Sequence, residues 1–213
     1  MRAALSDLPA AARTEPAEVP RAYERDREAT PALRDLFAER VGDYRAAPLT
    51  LAGPEGIGAT VSRLARARGA RRLVVPTDLP EMWGPADLEL TPDEGSRAAD
   101  LDRLDGVLTG CAVAIAETGT IAFDGGATQG RRMLTLVPDW HICVVFADQL
   151  VAGVPEAILR LSPAAREGRP ITLISGPSAT SDIELERVEG VHGPRTLDLL
   201  IVDRDNPTKE EPR

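Results

Sequence analysis

Short apolar segments alternate with a helical segment in the first half of the chain, and this alternation restricts the fold more than any other feature. Residues 49–52 and 72–76 are apolar runs of strand length. Between them, Ile57 and Val61 lie on one face of a predicted helix, and Gly69 is placed as a typical C-terminal glycine. This strand–helix–strand order predicts parallel strands joined by right-handed crossovers. The expected fold is therefore α/β.

The rest of the chain continues this pattern. Further strands are predicted at residues 106–111, 142–147, 171–175 and 197–203, and further helices at residues 23–44 and 154–161. The acidic segment 77–105 is expected to be a surface excursion, or a lid over a site, that contains a short helix at residues 95–104. Residues 112–116 and 120–123 are expected to be antiparallel edge additions to a mostly parallel sheet.

Composition predicts one α/β domain at residues 23–205. Residues 1–22 carry alanine, proline and scattered charge without a clear period, which predicts a flexible N-terminal arm. The charged residues 206–213 are expected to form a disordered tail. Neither a signal peptide nor a long apolar span is visible, so we expect a soluble, cytoplasmic protein that does not bind a membrane.

Charge and residue usage exclude several classes of function. A net charge of −9 and an aromatic content of 3% disfavour binding to nucleic acids, which needs basic patches and stacking rings. Lys209 is the only lysine, so there is no internal lysine for a Schiff base or a phosphate-binding loop. Cys111 and Cys143 are too few for an iron–sulfur cluster or a four-cysteine zinc site. We expect no cofactor.

The segment 111–141 holds the densest set of ionisable groups within apolar surroundings. Glu117 stands next but one to Gly119, and a glycine inside a strand usually marks a bulge or a close approach of another backbone or a ligand. If Glu117 is buried, it requires a partner or a chemical role. Arg131 and Arg132 follow, and His141 precedes an apolar strand. An equally open interpretation is that Glu117 pairs with an arginine and only stabilises the fold.

A second polar segment follows the predicted strand at residues 171–175. Gly176, Ser178 and Thr180 offer hydroxyl groups and backbone donors that would bind an anion if they open a short helix. Alternatively, Ser178 only caps that helix. Asp182 and His192 lie further along, and a His/Asp pair can transfer protons near neutral pH. The two histidines lack the spacing of metal ligands, so no metal is expected.

Taken together, four segments closely resemble the lactate-utilisation (LUD) domain family, and within it the short lactate utilization protein C branch. They are Ala116-Glu-Thr-Gly-Thr-Ile121, the segment 131–141, the segment 176–184 and Gly190-Val-His-Gly-Pro194. The resemblance implies a three-layer α/β fold with a mostly parallel sheet, the NagB/RpiA/CoA transferase-like fold. It also implies a role in oxidising L-lactate to pyruvate with two iron–sulfur partner proteins. This chain lacks the cysteine motifs of those partners.

Three functions follow from the residues and the resemblance. The first is a non-redox component of a lactate-oxidising complex that binds a small anionic metabolite or docks the partners, with Arg131 and Arg132 holding the anion. Its predicted ligand-binding residues are Thr118, Gly119, Thr120, Arg131, Arg132, Gly176, Ser178 and Thr180, and its predicted acid–base groups are Glu117, His141, Asp182 and His192.

The second function is an enzyme of the CoA-transferase or isomerase type, with Glu117 as the nucleophile. The third is a purely structural assembly subunit. The site hypothesis requires that the segment carrying Glu117 and the two arginines folds against the later Ser/Thr turn, so that both enclose one pocket.

Overall fold

The computed structural model describes Ala22 and residues 31–181, 187–189 and 193–203, without the side chains of residues 31, 179–181 and 187–189. The predicted arm, apart from Ala22, and the predicted tail lie outside the described residues. No helix within the described part of the chain is long and apolar enough to cross a membrane.

The described elements alternate as an α/β chain. The helices are α1 (Pro31–Asp43), α2 (Ile57–Arg68), α3 (Ala98–Leu101) and α4 (Val154–Arg166). The strands are β1 (Ala47–Leu51), β2 (Arg72–Val75), β3 (Glu89–Pro92), β4 (Gly106–Gly110), β5 (Val113–Ile115), β6 (Thr120–Phe123), β7 (Trp140–Phe146), β8 (Leu150–Val151), β9 (Thr172–Ile174), β10 (Ala179–Ser181), β11 (Arg187–Glu189) and β12 (Thr196–Val202).

Six strands form the central sheet in the order β1-β12-β7-β4-β2-β3, and all five neighbouring pairs are parallel. A second sheet has the order β8-β5-β6-β9 and is mixed. Strands β10 and β11 form a separate antiparallel pair. The central strands are buried on both faces, as expected for a parallel sheet.

Helix α2 covers one face of the central sheet. Its buried side chains Ile57, Val61 and Ala65 pack against β2, β4, β7 and β12. Gly69 ends the helix in the left-handed conformation, with φ of 68°, and its N–H donates to the carbonyl groups of Ala65 and Arg66. The predicted helix and its C-terminal glycine are confirmed.

Helix α1 and the second sheet cover the opposite face. Phe37 and Val41 of α1 and Ile121 of β6 lie in one core with Val145 and Ile201 of the central sheet. Helix α4 packs on the outer side of the second sheet, against β5 and β8. The predicted three-layer α/β fold with a mostly parallel sheet is confirmed.

The β5–β6 hairpin does not extend the central sheet, contrary to the prediction. Its strands pair antiparallel with each other, but within the second sheet. In the central sheet β4 is already flanked by β2 and β7, so it has no free edge for the chain that follows it. The hairpin therefore crosses to a separate layer and packs over the sheet face.

One edge strand also differs from the prediction. The acidic excursion contains β3, whose Glu89 and Pro92 are compatible with a strand because an edge position tolerates charge and proline. Strand β9 forms where a strand was predicted, but Leu173 is 53% exposed, and β9 lies at the edge of the second sheet. Strand β3 was missed because an edge strand need not carry the apolar pattern of a buried strand.

Candidate functional site: an arginine-lined pocket

A pocket of about 330 Å³ opens between the end of β6 and the segment that leads into β9. Phe123 and Pro170 contribute apolar wall, and Arg131, Arg132 and Arg169 line the same space. This volume lies in the range of small-molecule binding sites. We refer to it as the arginine pocket.

The loop 124–130 forms one wall of the arginine pocket and is held in an unusual backbone conformation. Gly125, Thr128 and Gly130 have φ of 67°, 62° and 64°, in the left-handed region. Thr128 is not a glycine, so its conformation must be imposed by its contacts. Its N–H donates to Asp78 Oδ2 at 2.8 Å, and its carbonyl oxygen accepts from the N–H of Gly110 at 2.8 Å. These bonds anchor the loop over the carboxyl end of β4.

Asp124 and Gln129 close this loop and orient an arginine. The N–H of Asp124 donates to Gln129 Oε1 at 2.8 Å, and Gln129 Nε2 donates to Asp124 Oδ1 at 2.8 Å. Asp124 Oδ2 lies 3.1 Å from Arg169 Nη1, which also donates to the Asp124 carbonyl oxygen at 3.0 Å. Arg169 Nε donates to Glu167. Arg169 is therefore both fixed and neutralised.

Arg131 is committed to a buried carboxylate. Its Nε donates to Asp93 Oδ2 at 2.5 Å and its Nη2 to Asp93 Oδ1 at 3.0 Å, and Nη2 also donates to the Ser96 carbonyl oxygen. The Asp93 side chain is only 3% exposed. The hydrogen bonds from Arg131 hold the pKa of Asp93 below its ordinary value of 3.8. This bidentate pair ties the end of β3 to the pocket wall.

Arg132 lines the same pocket and is paired with none of the described residues. It begins the 3-10 helix Arg132–Thr135 and is exposed. Thr135 Oγ1 donates to the Arg132 carbonyl oxygen at 3.1 Å, which fixes the backbone at this position. Among the described residues, no hydrogen bond or ion pair is made by the Arg132 guanidinium group. Arg132 therefore carries the unmatched positive charge of the pocket.

His141 is buried in the sheet face beneath Phe123, with ring centroids 5.7 Å apart. Its Nε2 lies 2.8 Å from Thr109 Oγ1, while Nδ1 has no hydrogen-bond partner among the described residues. Burial lowers the pKa of His141 from 6.5 to about 3, so the imidazole is neutral at pH 7. The acid–base role of His141 stays a prediction.

Glu117, Thr118 and Gly119 lie in the turn of the β5–β6 hairpin. Glu117 is exposed, and its Oε2 lies 3.1 Å from the place that a Cβ at Gly153 would occupy, beside the start of α4. Thr118 Oγ1 donates to Thr120 Oγ1 at 2.8 Å. Gly119 has φ of 59°, and a Cβ there would lie 2.8 Å from backbone atoms of α1. The close approach expected at this glycine is therefore to another backbone segment.

The Ser/Thr turn lies next to this hairpin turn. Thr120 Oγ1 is 2.7 Å from Ser175 Oγ, and Gly176 packs against Tyr44. The N–H of Ser178 donates to the Pro194 carbonyl oxygen at 2.8 Å. The expected short helix is not formed by the described part of this segment, because residues 179–181 form β10. Thr180 lies in β10 without a described side chain, and Asp182 and His192 lie outside the described residues.

The hairpin residues and the arginine pair of the predicted site lie at opposite ends of β6. Glu117, Thr118, Gly119 and Thr120 lie at its start, near Ser175, whereas Arg131 and Arg132 lie beyond its end. Of the predicted site residues that the structure describes, only Arg131 and Arg132 line the arginine pocket. Glu117 and the described residues 176–178 of the Ser/Thr turn do not line it.

Asp124, Gln129 and Arg169 were not singled out from the sequence, although they shape the pocket. Asp124 and Gln129 could have been noticed in the sequence, because they flank a segment with two glycines, and Gln129 immediately precedes Gly130 and the arginine pair. Arg169 carried none, since only the antiparallel pairing of β6 with β9 brings it to Asp124. Among the described residues, no three His, Cys, Asp or Glu side chains are placed to hold a metal ion.

Comparison with known proteins agrees with this fold. The LUD domain matches residues 88–202. A lactate utilization protein C from Deinococcus radiodurans is 52% identical over 168 residues, which cover 78% of this chain and 77% of that protein. A lactate utilization protein C from Exiguobacterium sp. is 31% identical over a region that covers 64% of this chain and 63% of that protein. The crystal structure of a DUF162 family protein from Deinococcus radiodurans has a TM-score of 0.70 and 41% identity, over 80% of this chain and 96% of that one. This chain therefore belongs to the LUD domain family.

Proposed function

We propose that this chain acts in lactate utilisation, as a non-redox component of a system that oxidises L-lactate to pyruvate with iron–sulfur partner proteins. The observation that carries the proposal is the 52% identity to a lactate utilization protein C over most of both chains. Identity at this level, across one continuous domain, supports a shared role more strongly than a common fold does.

The cysteines support the non-redox part of the proposal. Cys111 and Cys143 are both buried, and they are the only cysteines of the chain. Burial and hydrogen bonding with Cys111 raise the pKa of the Cys143 thiol, so it stays protonated at neutral pH. Cluster ligation requires thiolates, usually four of them. Electrons would therefore pass through clusters held by partner proteins.

The arginine pocket is the proposed site for a small anionic metabolite. A carboxylate metabolite would suit this pocket, because guanidinium groups bind carboxylates through paired hydrogen bonds. Arg132 supplies the unmatched charge, while Arg131 and Arg169 are held by Asp93 and Asp124. A pocket whose walls are already fixed loses little entropy when it binds its ligand.

Deletion of the gene in its host tests the proposed role. The deletion strain should fail to grow on L-lactate as the sole carbon source, grow normally on a sugar, and recover on lactate when the wild-type chain is supplied. Normal growth of the deletion strain on lactate would contradict the proposal.

Co-purification tests the partner proteins separately. A tagged chain isolated from lactate-grown cells under anaerobic, reducing conditions should retain proteins that contain iron and acid-labile sulfide. If the eluate holds the chain alone, the part of the proposal that concerns partners fails, while the growth experiment still decides the role.

A further inference from the structure

We infer that the arginine pocket selects a monocarboxylate larger than lactate, with the carboxylate on Arg132 and an apolar substituent against Phe123 and Pro170. This inference rests on the proposed function, because it names the class of ligand for the same pocket. Three properties of the pocket carry it: its charge, its volume and the nature of its walls.

One of the three guanidinium groups in the pocket is open to a ligand carboxylate. Arg131 uses Nε and Nη2 on Asp93 and the Ser96 carbonyl, and Arg169 uses Nε and Nη1 on Glu167 and Asp124. Among the described residues, only the Arg132 guanidinium of this set lacks a carboxylate partner. A phosphate dianion would meet only one guanidinium group without a carboxylate partner among the described residues, with the carboxylates of Asp93 and Asp124 next to the other two.

The volume of the pocket exceeds what lactate would fill. A dry cavity of about 150 Å³ accommodates benzene, which has the same number of non-hydrogen atoms as lactate. The arginine pocket has about 330 Å³, more than twice that volume. Lactate alone would leave much of the space to water, whereas a carboxylate with a phenyl or branched alkyl substituent would fill it.

The lining combines charged and apolar residues. Arg132 and Asp124 contribute charged groups, while Phe123 and Pro170 are apolar members of the same lining. Phe123 is only 5% exposed, and its ring packs against the buried His141 with centroids 5.7 Å apart, so its position is fixed by the core. A ligand with a charged head and an apolar body matches this arrangement.

Calorimetric titration of the full chain at low ionic strength tests the inference. The ligands are 3-phenyllactate, L-lactate and inorganic phosphate. We expect 3-phenyllactate to bind at least about tenfold more tightly than L-lactate, because its phenyl group leaves water, and phosphate to bind more weakly than 3-phenyllactate.

A variant pair identifies the anchor. Arg132→Gln should weaken binding of 3-phenyllactate by at least about tenfold, with an unchanged melting temperature. Arg63→Gln is the matched control, because Arg63 is exposed on α2, outside the pocket, and its guanidinium group forms no hydrogen bond or ion pair with the described residues. It should leave the dissociation constant unchanged.

Three results would overturn the inference: equal affinity for L-lactate and 3-phenyllactate, tighter binding of phosphate than of 3-phenyllactate, or full binding by Arg132→Gln. None of these results would contradict the proposed role in lactate utilisation, because the growth experiment tests that role independently. Conversely, growth of the deletion strain on lactate would contradict the proposed role, while the ligand preference measured by calorimetry would still hold.

Discussion

Three arginines line one pocket, but they differ in whether a carboxylate is paired with them. Arg131 neutralises a buried carboxylate, Arg169 is held by the loop carboxylate, and Arg132 is free among the described residues. A paired arginine contributes to stability, whereas an unpaired one is available to a ligand. Substitutions at Arg131 and Arg132 should therefore separate stability from binding.

Arg131→Gln should destabilise the fold, because it leaves Asp93 buried without its charged partner. Arg131 is 37% exposed and water can partly replace it, so we expect a loss of about 1–3 kcal/mol. For a chain of this size the melting temperature should fall by roughly 2–4 °C per kcal/mol. Arg132→Gln should change stability by less than about 0.5 kcal/mol. Equal effects of both variants in thermal unfolding would contradict the assignment.

His141 makes the stability of the fold depend on pH. Its folded pKa of about 3 lies below the ordinary value of 6.5, so between these values the unfolded chain binds a proton that the folded chain does not. Stability should therefore fall as the pH is lowered from 6.5, by up to about 1.4 kcal/mol per pH unit from this group.

Replacement of the imidazole tests this dependence. Urea unfolding of His141→Leu at pH 7.0 to 4.5 should show a shallower loss of stability than the wild type. Thr109→Val removes the hydroxyl partner but keeps the titrating ring, so its pH dependence should stay close to wild type. A slope in His141→Leu as steep as that of the wild type would show that the buried imidazole is not the cause.

At the scale of elements, the hairpin turn at Gly119 fixes how α1 meets the second sheet. A Cβ at Gly119 would lie 2.8 Å from Arg40 C and 2.9 Å from Val41 N, and both are backbone atoms that cannot rotate away. Gly119→Ala adds this overlap to a left-handed φ, so we expect a loss of at least about 2 kcal/mol.

Gly42→Ala is the matched control for the hairpin turn. Gly42 lies in α1, and a Cβ there meets no atom within 4 Å. Alanine should leave stability unchanged or raise it by up to about 1 kcal/mol, because glycine is unfavourable in a helix. If denaturant unfolding shows that Gly119→Ala is as stable as Gly42→Ala, the close contact between the turn and α1 is not present.

Buried elements could be predicted from the sequence, while edge elements and sheet membership could not. Strands β4, β7 and β12 are strongly apolar because both faces of the central sheet are buried, and helix α2 has an apolar face where it packs on that sheet. Strand β3 and the partners of the β5–β6 hairpin depend on which strand edges are free. That is a property of the assembled sheets and leaves no local pattern in the chain.

At the scale of the whole molecule, the sequence predicted that the two adjacent arginines belong to a site, but it did not predict which residues lie around them. Arg131 and Arg132 stand out as adjacent charges in an apolar stretch. Glu117 stands out for the same reason, yet a four-residue turn carries its side chain to solvent at the other end of β6. Burial depends on tertiary packing, so proximity along the chain does not decide which polar residues share a pocket.

The most direct test of the central claim is the rate of L-lactate-dependent pyruvate formation in extracts of the deletion strain supplied with single variants. The arginine pocket is proposed to serve lactate utilisation through Arg132, so Arg132→Gln should lower the rate at least about tenfold at equal protein level. The Arg63→Gln control should restore the wild-type rate. A full rate with Arg132→Gln would contradict the claim that this pocket is the functional site.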